Sequence, residues 1–159
     1  MPTLPIQTGS DNPILRRKTK KIEKITKAVT KLIADMRDTL KEKDGLGLAA
    51  PQVGQSLKLC LALIGGKVTA LINPAITWRS DETSTEEEGC LSLPGLTVAV
   101  ARPVSIILNF TDEKGALQER KLNGLDARVV QHETDHLEGR LMSDYLPVTQ
   151  ELPAMRQTA

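Results

Sequence analysis

The spacing of hydrophobic residues predicts an amphipathic helix in the first third of the chain. Thr26 suits the N-cap position, and the apolar residues after it recur at intervals of three or four: Val29, Leu32, Ile33, Met36 and Leu40. Such a stripe is typical of a helix that packs one face against a core. We expect the helix to end near Asp44 and Gly45, since glycine suits a left-handed cap. The chain through Asn12 and Pro13 lacks this spacing, which predicts irregular structure.

From residue 57 onward, short runs of β-forming residues replace the helical spacing. The predicted strands are 57–64, 68–72, 75–79, 97–101, 104–111 and 116–122. Gly65 and Gly66 predict a tight hairpin between the first two strands, and residues 113–115 predict another between the last two. A second helix over residues 125–138 is expected to follow the break at Asn123 and Gly124 and to end at Gly139.

The order of these elements, a helix followed by strands and a last helix, predicts an α+β fold. We expect mixed and antiparallel sheets of short strands, packed around the second helix as a single domain over residues 1–159. Residues 147–159 form a short C-terminal tail in this prediction, because Pro147 and Pro153 disfavour a long helix there.

Composition and charge argue against several classes of function. The 159 residues include 21 Lys and Arg against 20 Asp and Glu, and a net charge of +1 gives no general attraction to nucleic acid or membrane. Aromatic residues make up 2 %, too few for platforms that stack on bases. A basic cluster at 16–21 is either a solvated face or a contact with an anionic surface. With no leader segment or long apolar span, we expect a cytoplasmic protein with reduced thiols and no membrane partner.

Residues 132–136 read His-Glu-Thr-Asp-His, the most informative stretch of the sequence. On a helix, His132 and His136 lie one turn apart on one face, so both imidazoles can reach a single metal ion. Glu133 lies beside them, close enough to handle the proton of a water on that ion. The alternative interpretation is two histidines that merely fall near each other on a polar helix.

Cysteine usage supports the metal interpretation. Cys90 follows a glycine in a polar stretch and offers a third ligand, whereas Cys60 lies in an apolar run and is expected to be a buried, inert thiol. One thiolate and two imidazoles leave a fourth tetrahedral position open, which is typical of a catalytic rather than a structural site.

Three segments together resemble the signature motifs of the peptide deformylase family, in the family's order. They are residues 45–52 (GLGLAAPQ), 88–92 (EGCLS) and 131–139 (QHETDHLEG), and residues 12–16 (NPILR) resemble the start of the family's domain. The resemblance runs from about residue 4 to Leu146. It implies a hydrolase that removes the formyl group from the N-terminal methionine of newly synthesised proteins, with N-formyl-Met nascent polypeptides as substrates.

The resemblance also implies roles for individual residues. Cys90, His132 and His136 hold one divalent metal ion per chain in this interpretation, with Fe²⁺ expected in the cell and Zn²⁺, Ni²⁺ and Co²⁺ as alternatives. The ion then turns a water into the hydroxide that attacks the formyl carbon, and Glu133 acts as general base and afterwards as general acid.

Hydrogen-bond donors and a peptide-binding surface complete the implied site. The family pattern assigns stabilisation of the oxyanion to the side-chain amide of Gln52 and the backbone N–H of Leu91, although Gln52 by itself is an ordinary loop residue. The implied substrate contacts are glycines that admit a peptide backbone and apolar side chains that either line a methionine pocket or belong to the core: Gly45, Leu46, Gly47, Leu125 and Val129.

Residues further from the reaction are assigned less specifically. Glu88 and Arg102 are expected to form an ion pair behind the site, while Asp135 faces away from the ligands and has either a supporting or a surface role. Many bacterial family members carry a further C-terminal helix that this tail does not predict, so contact with the ribosome exit region stays open. We expect a monomer with no specific nucleic-acid partner.

Two other functions fit part of the pattern. Another metallohydrolase or peptidase with the same two-histidine helix takes its third ligand downstream, where the carboxylates are Glu138, Asp144 and Glu151. Glu138 is too close on the same helix, which favours Cys90. A non-catalytic protein with a stabilising metal needs four protein ligands, and three are visible here.

Overall fold

The computed structural model describes residues 3–146, and the predicted tail at 147–159 lies outside them. In this part of the chain the helices are α1 (Pro13–Arg16), α2 (Lys27–Lys43) and α3 (Gly124–Leu137). The strands are β1 (Gly47–Ala49), β2 (Leu59–Ile64), β3 (Lys67–Arg79), β4 (Thr83–Gly89), β5 (Thr97–Pro103), β6 (Ser105–Thr111) and β7 (Leu117–Asn123). Short 3-10 helices, Ala50–Val53 and Met142–Tyr145, follow β1 and α3.

Two antiparallel sheets enclose α3 at the centre of the fold. The larger sheet has the strand order β1-β2-β3-β6-β7, and β4 pairs with β5 in the smaller one. Apolar side chains of α3, among them Val130 and Leu137, pack in one cluster with Ala62 of β2 and Leu108 of β6. The predicted α+β class, with short antiparallel strands around the last helix, is confirmed, and α3 begins and ends within one residue of its prediction.

Strand β3 is one continuous strand where the sequence predicts two. Its register against β6 shifts between Ile72 and Ala75, and Asn73 in the gap has a φ of 52°. The Asn73 side chain accepts a hydrogen bond from the N–H of Ile22 at 2.8 Å and donates one to its carbonyl at 2.7 Å. Residues 73 and 74, which separate the two predicted strands, therefore form a bulge, which bends the strand without ending it.

Strands β1 and β4 are absent from the sequence prediction. β1 has three residues and begins with Gly47, while β4 is polar throughout and buries only Glu88. Each pairs with a more apolar neighbour, β2 for β1 and β5 for β4. The partner strand, rather than intrinsic β-propensity, decides the conformation of such segments.

The helix ends follow capping chemistry, with two corrections to the prediction. The hydroxyl of Thr26 accepts the N–H of Val29 at 3.2 Å, as expected of an N-cap. At the other end of α2, Asp44 rather than Gly45 takes the left-handed conformation, which aspartate tolerates because its short side chain bonds locally. The segment predicted to be irregular contains α1, since Pro13 suits a first helical position.

The N-terminal segment, residues 3–26, connects distant parts of the fold through its backbone. The N–H of Gln7 donates to the carbonyl of Gln52 at 2.7 Å. Thr19 donates through both its N–H and its hydroxyl to the carbonyl of Leu137, at 3.0 and 2.9 Å. These bonds fasten the segment to the turn after β1 and to the last residue of α3.

Candidate active site

Cys90, His132 and His136 come together where the end of β4 meets the C-terminal half of α3. One donor atom from each lies within 4.8 Å of the other two, and Cys90 Sγ is 3.4 Å from His136 Nε2. A tetrahedral ion bound through sulfur and nitrogen holds those two atoms about 3.6 Å apart. The donor set and its spacing therefore fit a single metal ion.

The ring of His132 is oriented by Glu88, whose Oε1 lies 2.9 Å from His132 Nδ1. A neutral imidazole that donates through Nδ1 presents the lone pair of Nε2 to a metal. Burial disfavours the imidazolium, but hydrogen bonds with Cys90 and Glu88 and the charge of Glu133 outweigh it and raise the pKa of His132 to about 10. The negative groups that favour a proton here, Glu88 and Glu133, also attract a metal cation. Burial, followed by the charge of His132, holds the pKa of His136 well below its usual value, so this ring is neutral as a ligand must be.

Two arginines hold Glu88 in place behind His132. Arg102 donates to both oxygens of Glu88, through Nε at 2.6 Å and Nη2 at 2.9 Å, so the predicted ion pair is present. Arg128 adds a hydrogen bond to Oε2 at 2.7 Å. Burial opposes ionisation of Glu88, but Arg102 and His132 outweigh it and lower the pKa of Glu88 to about 2. The carboxylate is therefore charged at neutral pH and acts only as an acceptor.

Glu133 is buried next to the donor group, with 4 % of the residue exposed. Its Oε1 has no hydrogen-bond partner among the described residues. Burial raises the pKa of Glu133 to about 7, His132 lowers it and the charge of Glu88 raises it further. On its other side the carboxylate lies against Gly47, where an added Cβ would be 2.6 Å from Oε2. A carboxyl group in this setting exchanges a proton readily near neutral pH.

Gln52 and Leu91 supply N–H groups to the same place. The side-chain oxygen of Gln52, Oε1, accepts the N–H of Ala49 at 2.8 Å, and this bond fixes the direction of the side-chain nitrogen, Nε2. That nitrogen lies 3.1 Å from Ser92 Oγ and 3.7 Å from Cys90 Sγ. The backbone N–H of Leu91 donates to no acceptor within residues 3–146. Both groups belong to residues that line the cavity beside the donor group.

A cavity of about 330 Å³ opens beside Cys90 and His132. Every predicted site residue except the buried His136 lines it. Besides Cys90 and His132, these lining residues are Glu133, Gln52, Leu91, Gly45, Leu46, Gly47, Leu125 and Val129. Leu46 and Leu125 are 45 % and 57 % exposed, whereas Val129 is 6 % exposed. The cavity therefore has an apolar inner wall and two apolar side chains exposed to solvent.

Three residues of the site are missing from the sequence interpretation. Arg128 precedes His132 by one helical turn, and this spacing is the signal in the sequence that points to it. Ser92 belongs to the segment 88–92, whose last residue received no role. Tyr145 donates to Asp135 at 2.7 Å, and no local pattern in the sequence indicates that contact.

The fold and the site together define a class of protein. A group of three metal donors, a buried carboxylate and a cleft that reaches both are the arrangement of a metal-dependent hydrolase. Among known families, the one described as polypeptide deformylase matches residues 4–151. This chain belongs to that family.

Individual relatives agree with this assignment. The peptide deformylase of Dictyoglomus turgidum is 46 % identical over 133 residues, which cover 84 % of this chain and 86 % of the relative. The solved structure of peptide deformylase from Ehrlichia chaffeensis in complex with actinonin has a TM-score of 0.93 at 33 % identity, over 99 % of this chain and 96 % of the other. For the enzyme from Thermotoga maritima the TM-score is 0.88 at 38 % identity, over 92 % and 99 %. The protein is thus an enzyme that hydrolyses the N-formyl group from formylmethionine of nascent peptides.

Proposed function

We propose that Cys90, His132 and His136 hold the single ion of this deformylase. The observation that supports this most directly is the 3.4 Å spacing of Cys90 Sγ and His136 Nε2, with the ring of His132 turned toward them by Glu88. Cys90 and His132 also line the cavity, so an ion held by these residues would be reached from it. When bound, the ion supplies Lewis-acid charge and lowers the pKa of a water molecule.

Glu133 is the proposed general base and general acid. Its Oε1 accepts a proton from the attacking water and returns it to the amine that leaves as the C–N bond breaks. A carboxylate oxygen that is buried and unpaired within residues 3–146 is available for both transfers. Its pKa of about 7 makes gain and loss of a proton comparably easy at neutral pH.

Gln52 and Leu91 are the proposed donors to the formyl oxygen. As the carbonyl carbon becomes tetrahedral, this oxygen gains negative charge, and fixed N–H groups stabilise it more than they stabilise the substrate. The bond from Ala49 to the Gln52 carbonyl holds the amide nitrogen toward the cavity before substrate arrives. Removing one such donor typically costs about 100- to 1,000-fold in kcat.

The proposed substrate site lies along β1. Within residues 3–146 this strand is at an edge of its sheet and pairs only with β2, so its other edge can bind an extended peptide. Gly45, Leu46 and Gly47 offer their backbone there, and the apolar wall that includes Leu125 and Val129 receives the methionine side chain. Formylated peptides with an N-terminal methionine fit both features.

Gly47→Ala is expected to reduce kcat/KM for formyl-Met-Ala by about 100-fold, the cost of displacing a catalytic group by around 1 Å. The added methyl group would lie 2.6 Å from Oε2 of Glu133 and must push the carboxylate aside. Steady-state kinetics on the metal-loaded variant measure the effect. The control is Gly65→Ala, on the β2–β3 hairpin in open space, which should lose stability through its left-handed φ but keep its activity. Normal kinetics in Gly47→Ala would contradict the proposed position of Glu133.

We propose ferrous iron as the ion in the cell, in keeping with the family resemblance of the sequence. Geometry does not select among divalent metals, and availability decides between them. Iron, nickel, cobalt and zinc forms should be prepared without oxygen and assayed on formyl-Met-Ala. The iron form is expected to lose activity over hours in air, because Fe²⁺ is readily oxidised and its open position admits oxygen, while the nickel form stays active. Equal losses in both forms would contradict the role of iron.

We further propose that residues 1–159 form one catalytic domain and that the enzyme is a cytoplasmic monomer. We also propose that the enzyme binds nascent chains at the ribosome exit region. Residues 16–31 support the ribosome contact, since they contain eight Lys and Arg against one Glu. Only Arg16 and Lys31 of this group pair with a carboxylate in the described part of the chain. The other positive side chains are exposed and can attract RNA phosphates. In residues 3–146, no helix has the length and apolarity needed to cross a membrane.

Sedimentation with ribosomes tests the basic segment directly. Lys20→Glu/Lys21→Glu is expected to abolish co-sedimentation at low salt, whereas Lys41→Glu/Lys43→Glu, an equal charge change on exposed residues of α2, is expected to preserve it. Binding by the native protein should weaken as salt rises, because phosphate contacts release counterions. Equal binding by both double variants would exclude this surface.

A further inference from the structure

A line of contacts runs from the end of the described chain to the metal group. The Tyr145 hydroxyl donates to Asp135 Oδ2 at 2.7 Å, and the same oxygen accepts Nη1 of Arg102 at 2.9 Å. The two remaining nitrogens of Arg102 donate hydrogen bonds to Glu88, and Glu88 orients the ring of His132. These five residues, which we call the Tyr145 relay, come from β4, β5, α3 and the 3-10 helix Met142–Tyr145.

The guanidinium of Arg102 is the point at which the relay is fixed. It is planar, so a bond at Nη1 sets the direction of the fork that Nε and Nη2 present to Glu88. Asp135 makes that bond, and the Tyr145 ring also covers the guanidinium, with its centroid 5.1 Å from the central carbon. Among the described residues, Arg140 is a further cation near Asp135, but it is 3.8 Å away and largely exposed, so it is a weak substitute.

We propose that Tyr145 is a positioning residue for the metal site, acting through Asp135 and Arg102. Its hydroxyl holds the Asp135 carboxylate against Arg102, which keeps Glu88 aligned with Nδ1 of His132 and leaves Nε2 of that ring for the ion. Without the hydroxyl, the Asp135 side chain can turn toward solvent. Arg102, Glu88 and the ring of His132 are then held less rigidly. The ion then dissociates faster. This inference rests on the proposed metal ligands.

The test is Tyr145→Phe, which keeps the ring over Arg102 and its packing beside Leu141 and Met142 and removes only the hydroxyl. Transfer of zinc from the loaded protein to an excess of a coloured chelator should be about 10-fold faster, the lower end of the effect known for groups behind a metal ligand. Asp135→Asn should accelerate the transfer as well. The double variant should match Asp135→Asn alone, since the Tyr145 hydroxyl, the group that Tyr145→Phe removes, acts through Asp135.

Thr19→Val is the matched control, because it removes a hydroxyl that donates to the carbonyl of Leu137, on the same helix but outside the relay. Its zinc release should stay within about twofold of the native rate, since it leaves every group behind the metal ligands in place. The metal-free forms of Thr19→Val and Tyr145→Phe should have similar melting temperatures. If both variants release zinc equally fast, general loosening of α3 explains the result and the relay is wrong.

Different outcomes contradict the metal ligands and the Tyr145 relay. A native protein that binds no zinc contradicts both the metal ligands and the relay. A native protein that binds zinc, and a Tyr145→Phe variant that releases it at the native rate, contradict the relay alone.

Discussion

Glu133→Gln is expected to retain one metal ion per chain and to lose about 100- to 10,000-fold in kcat on formyl-Met-Ala, the contribution of a general acid/base. The amide has the shape of the carboxyl group but accepts no proton at its nitrogen or oxygen near neutral pH. Binding of the substrate peptide along β1 does not involve this side chain in the proposed geometry, so KM should change less than kcat. Elemental analysis and steady-state kinetics on the same sample measure both quantities.

The stability of that variant should move in the opposite direction from its activity. Glu133 is buried with an unpaired Oε1 in the described fold, and burial is the main cause of its raised pKa. Replacing a costly buried carboxylate with a neutral group of equal shape should leave the melting temperature of the metal-free protein unchanged or raise it. Glu138→Gln, an exposed change just beyond α3, is the control and should alter neither property. Near-native turnover in Glu133→Gln would show that another group moves the proton.

Replacement of Cys90, His132 or His136 by alanine is expected to remove the ion and, with it, activity. Losing a group behind a ligand already costs about 10- to 100-fold in metal affinity, so losing a ligand should cost at least about 100-fold. Metal content after dialysis and titration with a chelator measure the effect. Full occupancy in all three variants would disprove the site.

The control for these variants is Cys60→Ala. Cys60, the other cysteine of the chain, is fully buried in β2, and burial followed by the charge of Glu133 raises the pKa of its thiol well above the usual value. Such a protonated thiol is a poor metal ligand. The variant should lose some stability through a small core cavity and keep its full complement of metal.

Local geometry explains why the sequence predicts that the histidine donor atoms lie close together. His132 and His136 are one helical turn apart, so a correct helix prediction already places their rings together. Cys90 was a candidate because it lies in a polar stretch whereas Cys60 lies in an apolar run, and the family motif implied the same role, although no local rule brings β4 to α3. Gln52 depended on the motif as well, since its orientation is set by a bond to Ala49 that forms only in the folded turn.

The features that escaped prediction are those decided by distant partners. Strand β4 is polar, and its pairing with β5 creates a strand that propensity disfavours. The bulge at Asn73 depends on Ile22, 51 residues away in sequence. Asp135 looked equally suited to a surface role because its partners, Arg102 and Tyr145, are supplied by β5 and by the 3-10 helix after α3.

The N-terminal segment has a consequence for how this enzyme folds. Its bond from Thr19 to Leu137 joins residues 118 positions apart, and Cys90 lies 46 positions from His136. Closing such long loops costs chain entropy before any contact compensates for it, so proteins with this topology cross their folding barrier slowly. His132 and His136 come together as α3 forms, but Cys90 joins them only after its own long loop closes, so we expect the complete donor set to form after the transition state. Zinc added during refolding should therefore leave the folding rate unchanged and slow the unfolding rate. The ion would then stabilise the folded domain kinetically.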